Sequence, residues 1–457
     1  MSFISDRRLR VSWPALGTLV AFAGSRTGVI ALTSVGNLVV RTGSSMILTR
    51  LLKPYDFGIV GIITTVFFAV TMITDLGFEA FVIRHNRDDR HFRDVIWTIH
   101  AQRGFGLFVV VVISSPVIAW ALGKPVVAFP LAVASVTFFI NGLASLSLIT
   151  ALRNDKSRQV SLLDFGLQLL STTAGVLLAL WLRNAWAIIF VMIVQSSARA
   201  VLSYIIFPDS AQRLCRDRAI AREFLAFSRI VLMSSTLSLL IAQTDKVVLA
   251  RIFTLEQFGL YAIALTIAAA PAMFGDSYVR RIVFPIYAQT WRQAPAEIAS
   301  LYYRVKRIPA ALYAFACGGL IGGAPLLMRL LYDPRYASAS IFLSLLTISS
   351  ALRLPNLAAV ELMAAMNHMM QTVRLNIVRV AWLALTIPIG FAAFGTLGVV
   401  IAVGLVEVPA MLFCWILLYR VSVLRMSEEL FFIALIVVGA IIGTLISRQV
   451  LWLFPYL

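Results

Sequence analysis

Residues 47–62 read ILTRLLKPYDFGIVGI, and residues 248–263 read VLARIFTLEQFGLYAI. Five of the sixteen positions are identical at a constant offset of 201 residues. Leu48, Arg50, Phe57, Gly58 and Ile62 return as Leu249, Arg251, Phe258, Gly259 and Ile263. Asp75 returns as Asp276 at the same offset, and a looser echo pairs LRND (152–155) with AMNH (365–368).

The surrounding chain says what kind of repeat this is. Its 457 residues are 60% hydrophobic and 13% charged, with a mean hydropathy of +0.91. Soluble domains are about 45–50% apolar and about 25% charged, and they keep a polar skin. The chain is an integral membrane protein. Its net charge of +18 fits Lys and Arg gathered in loops that set topology, so no nucleic-acid partner is expected. Cys215, Cys317 and Cys414 lie far apart without CxxC spacing, which argues against a disulfide or metal framework. His85, His91, His100 and His368 show no ligand spacing. No GxxxxGK[ST] loop for ATP and no selectivity-filter sequence occurs. No cofactor is expected.

A membrane-spanning helix needs about 20 apolar residues. Thirteen such segments follow one another, at about 28–50, 57–82, 98–122, 126–149, 160–182, 184–207, 230–252, 257–279, 308–331, 339–365, 372–394, 396–419 and 430–447. Loops after even-numbered spans are basic, with Arg84, Arg87, Arg90 and Arg93, then Arg153, Lys156 and Arg158, then Arg213, Arg216, Arg218 and Arg222. Loops after odd spans carry one or two cations. The positive-inside rule then puts the basic N-terminus and the even loops in the cytoplasm. Residues 1–27 read as a basic arm with an interfacial segment at 15–24, too short to span.

Each copy of the phrase ends an odd span, turns and starts the next. The offset contains six spans, an even number, so both copies enter the membrane in the same direction. That is a parallel repeat about an axis along the membrane normal. The expected architecture is all-α. An N-terminal six-helix lobe (28–207) and a C-terminal six-helix lobe (230–420) are joined by a cytoplasmic linker (208–229). An additional span and tail follow (421–457). Two such lobes rocking about a cleft expose it to alternate sides, which is a transport mechanism.

At this point particular residues resemble a known family. RLLKPYDFG after span one, TDLGFEAFVIRH (74–85) closing span two, and TDKVVLARIFTLEQFGLYAIA (244–264) are similar to segments of the bacterial polysaccharide and oligosaccharide flippases. These are the O-antigen and exopolysaccharide type, within the multidrug/oligosaccharidyl-lipid/polysaccharide exporter superfamily. The resemblance runs from about 28 to 420. It implies a MATE-like fold and export of an undecaprenyl-pyrophosphate-linked oligosaccharide across the bacterial inner membrane. Bilayer lipids and a polysaccharide polymerase are the implied partners. Ala250 stands where Gly is frequent in the family, and Glu79 is an unusual acid after DLG.

Ionisable side chains at bilayer depth are costly unless they face a cavity or a partner. A lipid pyrophosphate calls for cations, with Arg favoured for its bidentate donors. Arg41 in span one and Lys246 in span seven, the symmetry-related pair of spans, are the first candidates. Asp245, Asp75, Glu79, Asp276 and Arg199 complete the cavity candidates. Asp75 and Glu79 are four apart, which on a continuous helix puts them on one face. Asp75 and Asp276 admit a structural role, pairing with an Arg or capping a helix break beside a Gly. They also admit cation coupling. Glu361 and Glu407, with Asp276, are the candidates for carrying a proton or sodium ion. Asp245 is open to pairing with Lys246 or elsewhere. Topology and snorkelling account for Arg84, Arg280 and Arg281, and favour the same reading for Arg374 and Arg379. Pro271, Gly275 and Pro388 are possible kink sites as well as ordinary membrane-helix composition.

Three functions remain. One is a flippase for a lipid-linked oligosaccharide, with a lateral opening for the lipid tail. The second is an ion-coupled drug exporter of the same fold, which an acid-dominated cavity would favour. The third is a membrane oligosaccharide ligase or polymerase, which calls for a large loop after an odd span; every such loop here is short.

Overall fold

The computed structural model describes residues 26–84, 89–153, 156–207 and 211–454. The expected arm lies outside these residues but for its last two, as do Asn154 and Asp155 of the looser echo. The helices are α1 (Arg26–Leu51), α2 (Pro54–Ile73), α3 (Phe78–Arg84), α4 (Arg90–Ala121), α5 (Ala128–Ala134), α6 (Val136–Gly142), α7 (Ser147–Arg153), α8 (Ser157–Leu182) and α9 (Trp186–Ile205). There follow α10 (Arg218–Ile252), α11 (Leu255–Tyr278), α12 (Phe284–Gln293), α13 (Ile298–Leu331), α14 (Ala339–Ala365), α15 (Met370–Gly404), α16 (Glu407–Arg420) and α17 (Met426–Leu453).

Ten of the described segments are long and apolar enough to cross a membrane. They differ from the thirteen expected spans in three places. α1 and α10 are long helices that are not among the ten. Met370–Arg420 is a single segment of 51 residues by length, yet it turns back at Gly395. Gly395 has φ of +59° and ψ of −138°, open to glycine because it lacks a Cβ. Across that turn, the backbones of Gly390 and Gly398 abut.

The doubled phrase builds the same device twice. Lys53 is the N-cap of α2: its N–H donates to the Asp56 carboxylate at 3.0 Å, and Pro54 takes the first helical position, where no donor is needed. Thr254 caps α11 in the same way, accepting from the Gln257 N–H at 3.2 Å while Gln257 Oε1 accepts from the Thr254 N–H at 3.1 Å. The two helices then cross at their glycines. A Cβ on Gly58 would overlap the Leu255 carbonyl, and one on Gly259 would overlap the Pro54 carbonyl. Pro54 and Leu255 correspond in the repeat, as do Gly58 and Gly259, so the contact is reciprocal.

A core of Ile59, Ile62, Ile63, Phe253, Phe258, Tyr261 and Ile263 surrounds this crossing. Other turns converge there. Asp56 Oδ1 accepts from the Ala185 N–H at 3.0 Å. The Tyr336 hydroxyl donates to the Leu52 carbonyl at 2.9 Å, and Arg335 Nη2 to the Arg50 carbonyl at 3.1 Å. Arg335 also holds the Asp333 carboxyl below the usual carboxylate range through their hydrogen bond. Trp120, Trp181 and Trp452, at 78%, 81% and 80% exposure, sit at the C-terminal ends of α4 and α8 and at the end of α17. Alternating helices put those ends on this same face, as an interfacial aromatic belt requires.

Two expectations need correction. Asp75 and Glu79 do not share a helical face, because the chain leaves the helix over Thr74–Gly77. Gly77 has φ of +68°, and a Cβ there would meet Val231 and Phe227. The Gly77 N–H donates to Asp75 Oδ1 at 3.0 Å, and Arg103 Nε donates to the freed Thr74 carbonyl at 2.8 Å. The stretch 208–229 is helical from Arg218 on, capped by Asp217, and so extends span seven. Only its first part, described from residue 211, is a strap. There Cys215 N–H donates to Thr98 and Arg213 N–H to Asp94 of α4. The hydrogen bond from His91, then those from the Ala219 and Ile220 N–H groups, lower the Asp217 carboxyl pKa.

α17 lies along α13 through interleaved small residues. A Cβ on Gly318 or Gly322 would strike the Ile436 or Ala440 carbonyl, and one on Gly439 or Gly443 the Phe315 or Gly319 carbonyl. Such small-residue seams let membrane helices approach closely. At one end of the seam Lys306 (1% exposed) meets Glu429 (5%) at 2.8 Å. The ammonium also donates to the Tyr302 hydroxyl at 3.0 Å, with the Tyr302, Tyr303 and Phe432 rings around it.

Two outcomes follow from this packing. Gly58→Ala and Gly259→Ala should each lower stability by about 1–3 kcal/mol through overpacking, read as a fall in the thermal midpoint of the purified protein; Gly43→Ala, where a Cβ meets nothing within 4 Å, should not. Glu429→Ala should cost about 3–5 kcal/mol by stranding Lys306, whereas Lys306→Met with Glu429→Leu should recover most of that loss. An additive double-mutant cycle would contradict the pairing.

Candidate functional site

A cavity of about 410 Å³ opens among α10, α11, α14, α15 and α16. Four cations line it, Lys246, Arg280, Arg353 and Arg379, against two acids, Asp245 and Glu407. The helices deliver these charges in fixed geometry. Arg353, in the middle of α14, grips Asp276 of α11 with both Nε and Nη2 at 2.9 Å. Its remaining nitrogen, Nη1, lies 3.9 Å from Glu407 Oε1. Glu407, 2% exposed at the start of α16, accepts from Arg379 Nη2 and from Asn356 Nδ2, both at 2.8 Å. Arg379 Nη1 donates to Asn376 at 3.2 Å, while its Nε is a buried donor with no hydrogen-bond partner. Asp245 is buried and accepts from the Tyr261 hydroxyl at 2.7 Å.

The arrangement is a chain of alternating charges, Arg379–Glu407–Arg353–Asp276. Each carboxylate fixes a guanidinium that would otherwise be mobile, and each guanidinium keeps a donor in reserve. Preorganised guanidinium donors in a low-dielectric site suit an anion with several oxygens. Among the described residues, no group of three or more His, Cys, Asp or Glu side chains is placed to hold a metal ion.

The structure brings Lys246, Asp245 and Glu407 to this cavity, with Asp276 held behind Arg353. Glu361 lies beside it, 3.9 Å from Arg280. Arg280 and Arg379 therefore line the cavity; Arg374 is exposed on α15. Arg41 is exposed on α1 and lines neither this cavity nor the one that holds Arg199. Arg199 lies in the N-terminal half, 3.4 Å from Asp164. Asp75 is half-buried at the break after α2, and Glu79 is exposed on α3. Sequence reasoning passed over Arg353 and Asn356. A charge in the middle of an apolar span was the available signal for Arg353.

Long helices, ten membrane-length segments and an internal charged cavity define a multi-pass membrane protein of transporter fold. A solved structure of the lipid II flippase MurJ in an inward closed conformation superposes with a TM-score of 0.65, at 12% identity, over 92% of this chain and 99% of that one. An inward-facing multidrug resistance MATE family transporter of the MOP superfamily gives 0.62, at 13% identity, over 84% and 94%. The chain belongs to the polysaccharide biosynthesis protein family, whose model matches residues 47–341. It is 26% identical over 334 residues to the succinoglycan biosynthesis transport protein ExoT of Rhizobium meliloti, covering 71% of this chain and 65% of that protein. It is 22% identical over 284 residues to the teichuronic acid biosynthesis protein TuaB of Bacillus subtilis, covering 62% and 58%. The matches thus span less than two thirds of either relative.

Removal of the central acid tests the charge chain. Glu407→Ala should destabilise the purified protein by about 3–5 kcal/mol, since Arg379 (14% exposed) is left uncompensated. Asp276→Asn, on the more exposed pair, should cost less. Equal losses in thermal midpoint would contradict the burial order.

Proposed function

We propose that this protein is a flippase that carries a lipid-linked oligosaccharide, on undecaprenyl pyrophosphate, across the bacterial inner membrane for surface or exopolysaccharide biosynthesis. The observation that carries the reading is the cavity in which Arg353 and Arg379 are locked by Asp276 and Glu407 with donors to spare. A pyrophosphate presents the matching set of acceptors. Membership of the polysaccharide biosynthesis protein family supports the glycan cargo, and the name of the ExoT relative supports transport.

In this reading Lys246, Arg353 and Arg379 hold the pyrophosphate, and Arg41 is the cation offered by the N-terminal half. Two six-helix lobes alternate about the cleft, and the lipid tail stays in the bilayer through a lateral opening between them. The N-terminus is cytoplasmic. Glu361, 3.9 Å from Arg280, is the remaining acid for proton or sodium coupling, because Glu407 and Asp276 are held by guanidinium hydrogen bonds at 2.8–2.9 Å. A polysaccharide polymerase would take up the product.

The test is a gene deletion with assay of the lipid-linked precursor by leaflet. Deletion should remove surface glycan and leave precursor in the cytoplasmic leaflet. Lys246→Ala and Arg353→Ala should fail to complement at normal expression. Unchanged surface polysaccharide without precursor accumulation would sink the proposal.

A further inference from the structure

A second cavity, of about 380 Å³, lies in the N-terminal half among α1, α6, α8 and α9. These helices hold the first, fourth, fifth and sixth places in their half of the span order. α10, α14, α15 and α16 hold the same places around the charged cavity. The chemistry is nevertheless different. Asn37, Asn141, Gln168 and Gln195 contribute four carboxamides and Ser196 a hydroxyl. The charged lining residues, Asp164 and Arg199, face each other at 3.4 Å.

Two acceptors in this cavity are unsatisfied. Asn37 Oδ1 and Asp164 Oδ1 are buried atoms with no hydrogen-bond partner, since the 3.4 Å approach of Arg199 lacks hydrogen-bond geometry. Buried polar atoms of this kind are normally met by protein, water or ligand. The lining narrows the choice. An anion would meet Asp164, and a cation would meet Arg199. A neutral ligand rich in groups that both donate and accept meets no opposing charge. A sugar hydroxyl is such a group, and a carboxamide, with an acceptor oxygen and two N–H donors, is its natural counterpart.

We propose that this cavity binds uncharged, hydroxyl-rich sugar rings of the transported glycan, separately from the pyrophosphate. The inference rests on the flippase reading above.

Site-specific photo-crosslinking in the full-length protein tests both. A benzophenone side chain would replace Asn141 at this cavity, Thr372 at the charged cavity, or Leu177, exposed on the apolar face of α8. Cells would be fed radiolabelled sugar or, separately, radiolabelled isoprenoid. Mild acid would then break the sugar–pyrophosphate bond after capture. At position 141 the sugar label should survive cleavage and the isoprenoid label should be lost, while position 177 should retain no sugar label. Asn37→Ala with Gln195→Ala should lower sugar capture at 141 by about tenfold, the loss of one or two hydrogen bonds, and leave capture at 372 unchanged. Capture at 372 without sugar at 141 would overturn the subsite and keep the flippase. Undiminished capture at 141 in the double variant would show that these carboxamides do not hold the sugar and would also overturn the subsite. Capture at neither position would overturn both readings.

Discussion

The backbone-to-backbone crossing of α2 and α11 is the contact on which the rest of the fold hangs. In a bilayer, lipid tails are as apolar as leucine, so helices are held by close packing and not by exclusion from water. Gly58 and Gly259 give that packing by removing the Cβ atoms that would separate the two backbones. The turns at Leu52, Ala185 and Tyr336 then close over the crossing. Because the contact is reciprocal, neither glycine can leave alone. A motion that separates the halves on this face breaks both contacts together.

The second constraint is that a charge in the bilayer must find a partner. Asp75 and Asp276 occupy corresponding places and meet this requirement in different ways. Before Asp75 the helix stops, at Ile73, and the carboxylate accepts from Gly77 while Arg103 covers the Thr74 carbonyl. After Asp276 the chain stays helical through a wider, π-helical turn, Val279–Val283, and the carboxylate reaches across to Arg353. The difference traces to two residues. Gly77 permits the left-handed turn, whereas Tyr278 stands in its place; Arg353 supplies a cross-helix partner. Similar sequence thus leads to one half with a stitched break and another with a rigid charge chain.

Most of the helix boundaries were legible in the sequence, because an apolar run of span length has few other uses and the repeat cross-checks it. The turn between spans eleven and twelve was found from length alone, and Gly395 supplies the physical reason. The assignment of Asp75 and Glu79 to one face failed because four-residue spacing has meaning only on an unbroken helix. The DLG segment carried that warning in Gly77. Arg379 and Arg280 read as topology charges, since an Arg near a span's end can snorkel; only the fold shows that both line the cavity, Arg379 largely buried and Arg280 exposed at it. Lys306 and Glu429 sat at the edges of two spans and read as loop. Partnership between residues more than a hundred positions apart leaves no trace in a single sequence.

That pair bears on how an appended helix is fixed in place. α17 lies outside the repeat and is held to α13 by glycines at 318 and 322 against 439 and 443. A seam that repeats every four residues tolerates a slip: moving α17 by one turn would set Gly439 where Gly443 had been. Packing alone therefore discriminates weakly between the two registers. The Lys306–Glu429 pair does not repeat. In the slipped register Lys306 would remain among Tyr302, Tyr303 and Phe432 without its carboxylate, at a cost of about 3–5 kcal/mol. A buried ion pair that adds little to stability over an apolar replacement is thus well suited to choosing one register over another.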